Sequence, residues 1–173
     1  FRRVLFRSQV ADALRAADGN VTVTVVTEKP SGQMASPELL SGKRGRYRVI
    51  AIEANDVAGS HHGITVDVGT TTVAVQLVDL SDMKILSTCT DYNSQLACGL
   101  DVISRIDYAR RRDHREELRN RVLRTINRLI LQSAHNDQVE PLEIACAVIS
   151  GNTTMIHLLL GLDPEYIRLD PYT

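Results

Sequence analysis

The chain alternates apolar and polar positions in short bursts up to residue 90, then changes to a helical period. VTVTVV at Val21–Val26 and YRVIAIE at Tyr47–Glu53 repeat every second residue, the spacing of half-buried strands. Gln9–Ala17 before them is expected to end a helix at the turn Asp18-Gly19-Asn20, and Glu28–Arg46, without periodicity, is expected to be a loop. Ile64, Val66 and Val68 then share one strand face with Thr65 and Asp67 on the other, and Val73, Val75 and Leu77 resume the alternation after a polar interruption. Two strands and a tight turn follow from this. Ser81-Asp82 predicts a second turn, Lys84–Thr90 another strand and Asp91–Cys98 a polar loop. From Gly99-Leu100-Asp101 the period is helical, with Val102, Ile103, Ile106 and Ala109 as one apolar stripe. A second helix from Asp113 buries Leu118, Val122, Ile126, Leu129 and Ile130. Ile144–Ile149, a continuous apolar run between Pro141 and Ser150-Gly151, predicts a central strand buried on both faces. Met155–Leu160 predicts a short helix closed by Gly161 with Pro164 beyond, and His157 on it is expected in the core.

Composition trims the functional classes. The first eight residues, FRRVLFRS, back-translate to TTC AGA CGT GTG CTC TTC CGA TCT, which reads as a short-read sequencing adaptor, so residues 1–8 are expected to be an artefact. Without Arg2, Arg3 and Arg7 the 20 basic residues become 17 against 21 acidic ones, a net charge of −4. Nucleic acid is therefore not an expected partner. No apolar run reaches the roughly 18 residues of a membrane span. Cys89, Cys98 and Cys146 are scattered, as expected of reduced thiols in a cytoplasmic protein. Three dispersed cysteines do not supply an iron–sulfur cluster, which takes four thiolates. Adjacent His61 and His62 point to opposite sides of an extended chain and are expected to be linker residues. The sequence stops at Asp170-Pro171-Tyr172-Thr173 without a finished element and is expected to be an internal fragment, its opening residues 9–58 closing one domain and 63–173 beginning the next.

The candidate chemistry lies in two polar turns. Gly69-Thr70-Thr71-Thr72 combines a residue lacking Cβ with three hydroxyls beside their own N–H groups, which suits a phosphate cradle. Asp67, at the end of the preceding strand, would hold hydrated Mg²⁺ beside it. A plain hairpin with a solvated aspartate reads the same residues, and chemistry alone does not separate the two. Gly151-Asn152-Thr153-Thr154, between an apolar strand and a helix start, sits where α/β folds place ligands, although Asn152 and Thr153 are equally good helix caps. Asp101 caps a helix in one reading and orients water at a γ-phosphate in the other. The arginines at 110–112, 115, 119, 121, 124 and 128 alternate with Asp113, Glu116 and Glu117, which predicts a solvated helix face with local ion pairs.

DVGTTTVAVQLVDL resembles the first phosphate motif of the actin, sugar-kinase and Hsp70 ATPase superfamily. Taken with DYNSQLACGLDVISRIDYAR and ISGNTTMIHLLLGLDPEYIRLDPY, in that order and spacing, it is similar to the reductive activators of corrinoid proteins. Asn93, Gln95, Gly99 and Asp101 match that family's second motif, whereas Ser94, Cys98 and Leu100 stand where it has proline, tyrosine and alanine. The resemblance implies an α/β fold: the first lobe of an actin-like, ribonuclease H-like ATPase domain, with a five-stranded mixed sheet flanked by helices. It implies ATP and Mg²⁺ at Asp67, Gly69, Thr70, Thr71 and Thr72, with Gly151, Asn152 and Thr153 lining the cleft and Asp101 as a catalytic candidate. It also implies a [2Fe–2S] cluster in an upstream domain, an electron donor, and a corrinoid protein or corrinoid-dependent methyltransferase whose Co(II) is returned to Co(I). A homodimer is compatible with it. The fragment alone is expected to be inactive.

Two other classes use the same hairpin. A small-molecule kinase would need a catalytic aspartate in a substrate pocket, which the sequence does not reveal, and an actin-like scaffold would bind nucleotide without chemistry. An upstream C-x₄-C-x₂-C cluster separates the redox activator from both.

Overall fold

The computed structural model describes residues 11–16, 18–28, 46–57, 59 and 61–169. The expected artefact at 1–8 and most of the loop expected at 28–46 lie outside them. The chain divides into two compact units, residues 1–60 and 61–173.

In the first unit residues 11–16 are helical, and Asp18 and Gly19 turn the chain with positive φ angles of 49° and 85°. Strands β1 (Val21–Glu28) and β2 (Arg46–Ala54) then pair antiparallel, with a bulge between Thr24 and Val25. Thr22 closes the open end of this ribbon, since its hydroxyl donates to the Asn55 carbonyl at 2.8 Å and accepts from the Val57 N–H at 2.9 Å.

The second unit is a four-stranded mixed sheet in the order β5-β4-β3-β6. Strands β3 (His62–Val68), β4 (Thr72–Asp79) and β5 (Lys84–Tyr92) form an antiparallel meander, and β6 (Ile144–Gly151) pairs parallel with β3. The alternation along β3 and β4 sorts their side chains. Ile64, Val66, Val68, Val73, Val75 and Leu77 are buried on one face. The other face carries a polar ladder in which Thr65 donates to Gln76, and Gln76 to Thr88. Helix α1 (Val102–Tyr108) leads into the long α2 (Arg112–Asn136), which crosses β4 and β5, and α3 (Thr153–Leu160) packs beside α2. Leu118, Val122, Ile126 and Leu129 from α2 and Met155, Leu158 and Leu159 from α3 complete the core with the inner face of the sheet.

The expected arginine face is present as ion pairs: Arg111 with Asp113, Arg112 with Glu116, Arg121 with Glu117 and Arg128 with Asp91.

Several expectations fail, each for a physical reason. The sheet of the second unit has four strands among the described residues rather than five, and the apolar run 144–149 lies at the sheet edge instead of its centre. Val148 is 66% exposed and Ile149 43%. With one neighbouring strand among the described residues, apolarity alone does not bury that strand. The polar stretch 91–98 is not a plain loop, because Asp91 and Tyr92 extend β5 and Ser94–Cys98 form a 3₁₀ turn. Ile103 is 53% exposed, and the buried face of α1 is supplied instead by Arg105 and Ile106. His157 is half-buried, with its Nδ1 2.8 Å from the Thr153 carbonyl, rather than packed in the core. Gly161 ends α3 in the left-handed conformation at φ 73°, the role its position predicts.

Candidate functional site

Strand β3 delivers Asp67 and Val68 to the top of the sheet, where the chain must reverse within three residues to start β4. Gly69 makes this possible. Its N–H donates to the Thr72 carbonyl at 2.9 Å, and a Cβ placed on it would lie 2.6 Å from that same oxygen. Thr70 and Thr71 form the tip.

The carbonyls of this turn are all held from inside the fold. The Asn93 side chain donates to the Gly69 carbonyl at 2.9 Å, Arg105 Nη2 to that of Thr70 at 2.5 Å, and the Asn93 N–H to that of Thr71 at 2.8 Å. The N–H groups of Thr70 and Thr71 have no hydrogen-bond partner among the described residues. Acceptors therefore point inward and donors remain for a ligand.

Asn93, Gln95 and Arg105 are fully buried and form the platform beneath the turn. Asn93 caps the 3₁₀ turn by accepting from the Gln95 N–H at 3.0 Å, and Gln95 Nε2 donates to the Leu118 carbonyl at 2.9 Å, which ties the platform to α2. Arg105 donates to the Gly99 carbonyl at 2.8 Å, to Gln95 Oε1 at 3.3 Å and to Met155 Sδ at 3.2 Å. Burial pushes its pKa below the ordinary arginine value.

The second polar turn reaches the first. Gly151 is registered with Val68 across the parallel pair, and a Cβ there would lie 2.7 Å from the Val68 carbonyl. Asn152, rather than Thr153, caps α3: its Oδ1 accepts from the Met155 N–H at 3.0 Å while its Nδ2 donates to Thr70 Oγ1 at 3.1 Å. Thr153 is the exposed first residue of α3. Asp67 is exposed, and its Oδ1 accepts from the Ser150 hydroxyl at 3.3 Å.

Asp101 sits one helical turn before Arg105 as the N-cap of α1. Its Oδ1 accepts from the Ser104 N–H at 2.8 Å, and the Ser104 hydroxyl answers the Asp101 N–H at 3.2 Å. The Ser104 backbone bond, then the Ser104 side chain, hold its carboxyl below the usual aspartate range.

Asp67, the threonine turn and the Gly151–Thr153 turn therefore gather at one end of the sheet, with Asp101 at the start of the helix that carries Arg105. Arg105 was hidden in the sequence. Its signal is an arginine between Ile103 and Ile106, on the inward side of a short helix, whose i−4 acid, Asp101, is taken up by the helix cap.

Residues 62–173 match the family described as RACo middle region. The corrinoid activation enzyme RamQ of Eubacterium limosum is 34% identical over 122 residues, covering 70% of this chain and 21% of that protein. A solved structure, a reductive activator for corrinoid, iron–sulfur protein, shares 42% identity over 97% of this chain and 24% of its own length, with a TM-score of 0.75. The chain thus spans between a fifth and a quarter of the length of these relatives.

Proposed function

The chain belongs to the RACo middle region family, and on that premise we propose that it is part of an ATP-dependent reductive activator of corrinoid proteins. In this reading residues 63–173 begin an actin-like ATPase domain, residues 9–58 end the domain before it, and the protein works in the cytoplasm.

The one-sided turn carries the reading. The carbonyls of Gly69, Thr70 and Thr71 are bonded from within, and the N–H groups of Thr70 and Thr71, with the threonine hydroxyls, are left as donors beside a helix start. Phosphate oxygens are acceptors, so the donor set fits them. Gly69, Thr70, Thr71 and Thr72 would hold the phosphates, with Gly151, Asn152 and Thr153 on the far side. Asp67 would hold Mg²⁺ through water, which suits a cation that keeps most of its hydration shell. Asp101 would orient the attacking water with the carboxyl oxygen that Ser104 does not use.

Bound MgATP supplies the free energy for an electron transfer that is otherwise uphill. The electron's destination would be Co(II) of a corrinoid protein or corrinoid-dependent methyltransferase, giving Co(I), and its source would be an external donor together with a [2Fe–2S] cluster. The cluster does not fit the residues present: Cys89, Cys98 and Cys146 are free and sit on three different elements. No group of three or more metal-ligating side chains occurs among the described residues. The cluster is accordingly assigned to another part of the protein.

The test is to express the full-length reading frame anaerobically and follow the visible spectrum of a Co(II) corrinoid protein with reductant. ATP-dependent growth of the Co(I) band, lost in Asp67→Ala and Thr71→Val, is expected. ATP binding without any ATP-dependent reduction would turn the reading toward a kinase or a scaffold.

A further inference from the structure

We propose that Arg105 is the positioning cation of the phosphate turn: it locks the acceptor side of the turn inward and sets a fixed positive charge beneath the ligand's phosphates. The inference rests on the reading of residues 69–72 as a phosphate site.

A fully buried guanidinium is costly unless its charge is answered. Arg105 spends its donors on two backbone carbonyls, an amide oxygen and a thioether, all of them neutral. It forms no ion pair among the described residues. Asp101, the nearby carboxylate that favours its charge, is occupied with the cap of α1. A neutral side chain could fill this space, since well-packed apolar residues often replace buried charges without loss of stability. What it could not supply is an attraction for an anion on the opposite side of one peptide unit. Field lines there run through packed protein, where charge is weakly screened.

The bonding pattern gives the charge its direction. Arg105 Nη2 grips the Thr70 carbonyl, and the N–H of Thr71 belongs to the same peptide plane. Fixing the carbonyl inward therefore turns that N–H outward, because the two are antiparallel across a trans peptide. Arg105 also touches Met155, which Asn152 caps, so one side chain ties together both polar turns of the site.

The experiment compares adenosine, AMP and MgATP binding to the full-length protein carrying Arg105→Met, Arg105→Gln or Arg105→Lys, alongside thermal unfolding without nucleotide. The proposal expects adenosine affinity unchanged in all three. MgATP affinity should fall about 10- to 100-fold in the Met and Gln variants, equivalent to about 1.4–2.8 kcal/mol. Arg105→Lys should recover part of the loss, and AMP should fall between adenosine and MgATP. A merely structural role would weaken adenosine and MgATP alike, in step with unfolding, and that result would overturn the proposal. Wild-type affinity for MgATP in Arg105→Gln would overturn it as well. If Arg105→Met does not fold, the Gln and Lys pair decides by the same comparison. Failure of the wild-type protein to bind MgATP at all would remove the phosphate reading together with this inference, whereas normal wild-type binding with indifferent variants removes only the role of Arg105.

Discussion

Gly69→Ala is the sharpest test of the turn, because the geometry states what the added methyl group meets. The new Cβ would stand 2.6 Å from the Thr72 carbonyl oxygen, a backbone atom whose own position is set by the Gly69 N–H bond at 2.9 Å. Neither can yield without opening the turn. The lost hydrogen bond is worth about 0.5–1.5 kcal/mol, and forcing a methyl group into packed structure costs about 1–3 kcal/mol. The substitution should therefore weaken local closure by about 1.5–4.5 kcal/mol, or at least roughly tenfold in the opening equilibrium. Hydrogen exchange of a peptide spanning residues 62–79 in the full-length protein reads that equilibrium directly. Gly59→Ala is the matched control, since a Cβ there meets nothing within 4 Å. Gly69→Ala should exchange faster by that factor and bind MgATP at least tenfold more weakly, with the control unchanged. Equal exchange and equal affinity in the two variants would refute the close approach on which the site is built.

Other consequences follow from the same geometry. Asp67→Ala should leave stability within about 0.5 kcal/mol, as for an exposed side chain, and yet abolish the Mg²⁺ dependence of nucleotide binding in calorimetric titrations. Leu118→Ala removes a fully buried side chain between α2 and the sheet and should cost about 2–5 kcal/mol in denaturant unfolding. Tyr108 donates to Glu117 Oε2 at 2.7 Å, which raises its pKa from 10.0 to about 12. Because the folded value is the higher one, this contribution is present below pH 10 and is lost as pH rises toward 12, and absorbance of the phenolate should report the shifted titration. Thiol labelling of the native protein should modify exposed Cys146 quickly and buried Cys89 only on unfolding.

The sequence carried the hairpin, the order of the strands and the two helices beyond, because period-2 and helical patterns report which face of an element is buried. It also carried the meeting of the two polar turns, as resemblance rather than as geometry. What it did not carry were matters of neighbourhood. Ile144–Ile149 is apolar enough to lie in the middle of a sheet, yet apolarity cannot say how many strands stand beside it. Arg105 fails for the opposite reason: a charged residue reads as exposed, and only the fold shows the carbonyls of Gly99 and Thr70 converging on it. Asn93 and Gln95 looked like loop residues because side chains that replace backbone hydrogen bonds leave no periodicity behind. Between Asn152 and Thr153 the choice of cap was open, and it is settled by the Met155 N–H, which donates to Asn152 Oδ1, while Asn152 Nδ2 reaches Thr70 across the two turns.

The central claim is that the threonine turn offers its donors to phosphate. A crystal structure of the full-length protein with Mg²⁺ and a non-hydrolysable ATP analogue tests it most directly. Phosphoryl oxygens are expected within about 3 Å of the N–H groups of Thr70 and Thr71, with Arg105 and Asn93 still bonded to the carbonyls behind them. Phosphates bound elsewhere, or those two N–H groups engaged by protein, would contradict it.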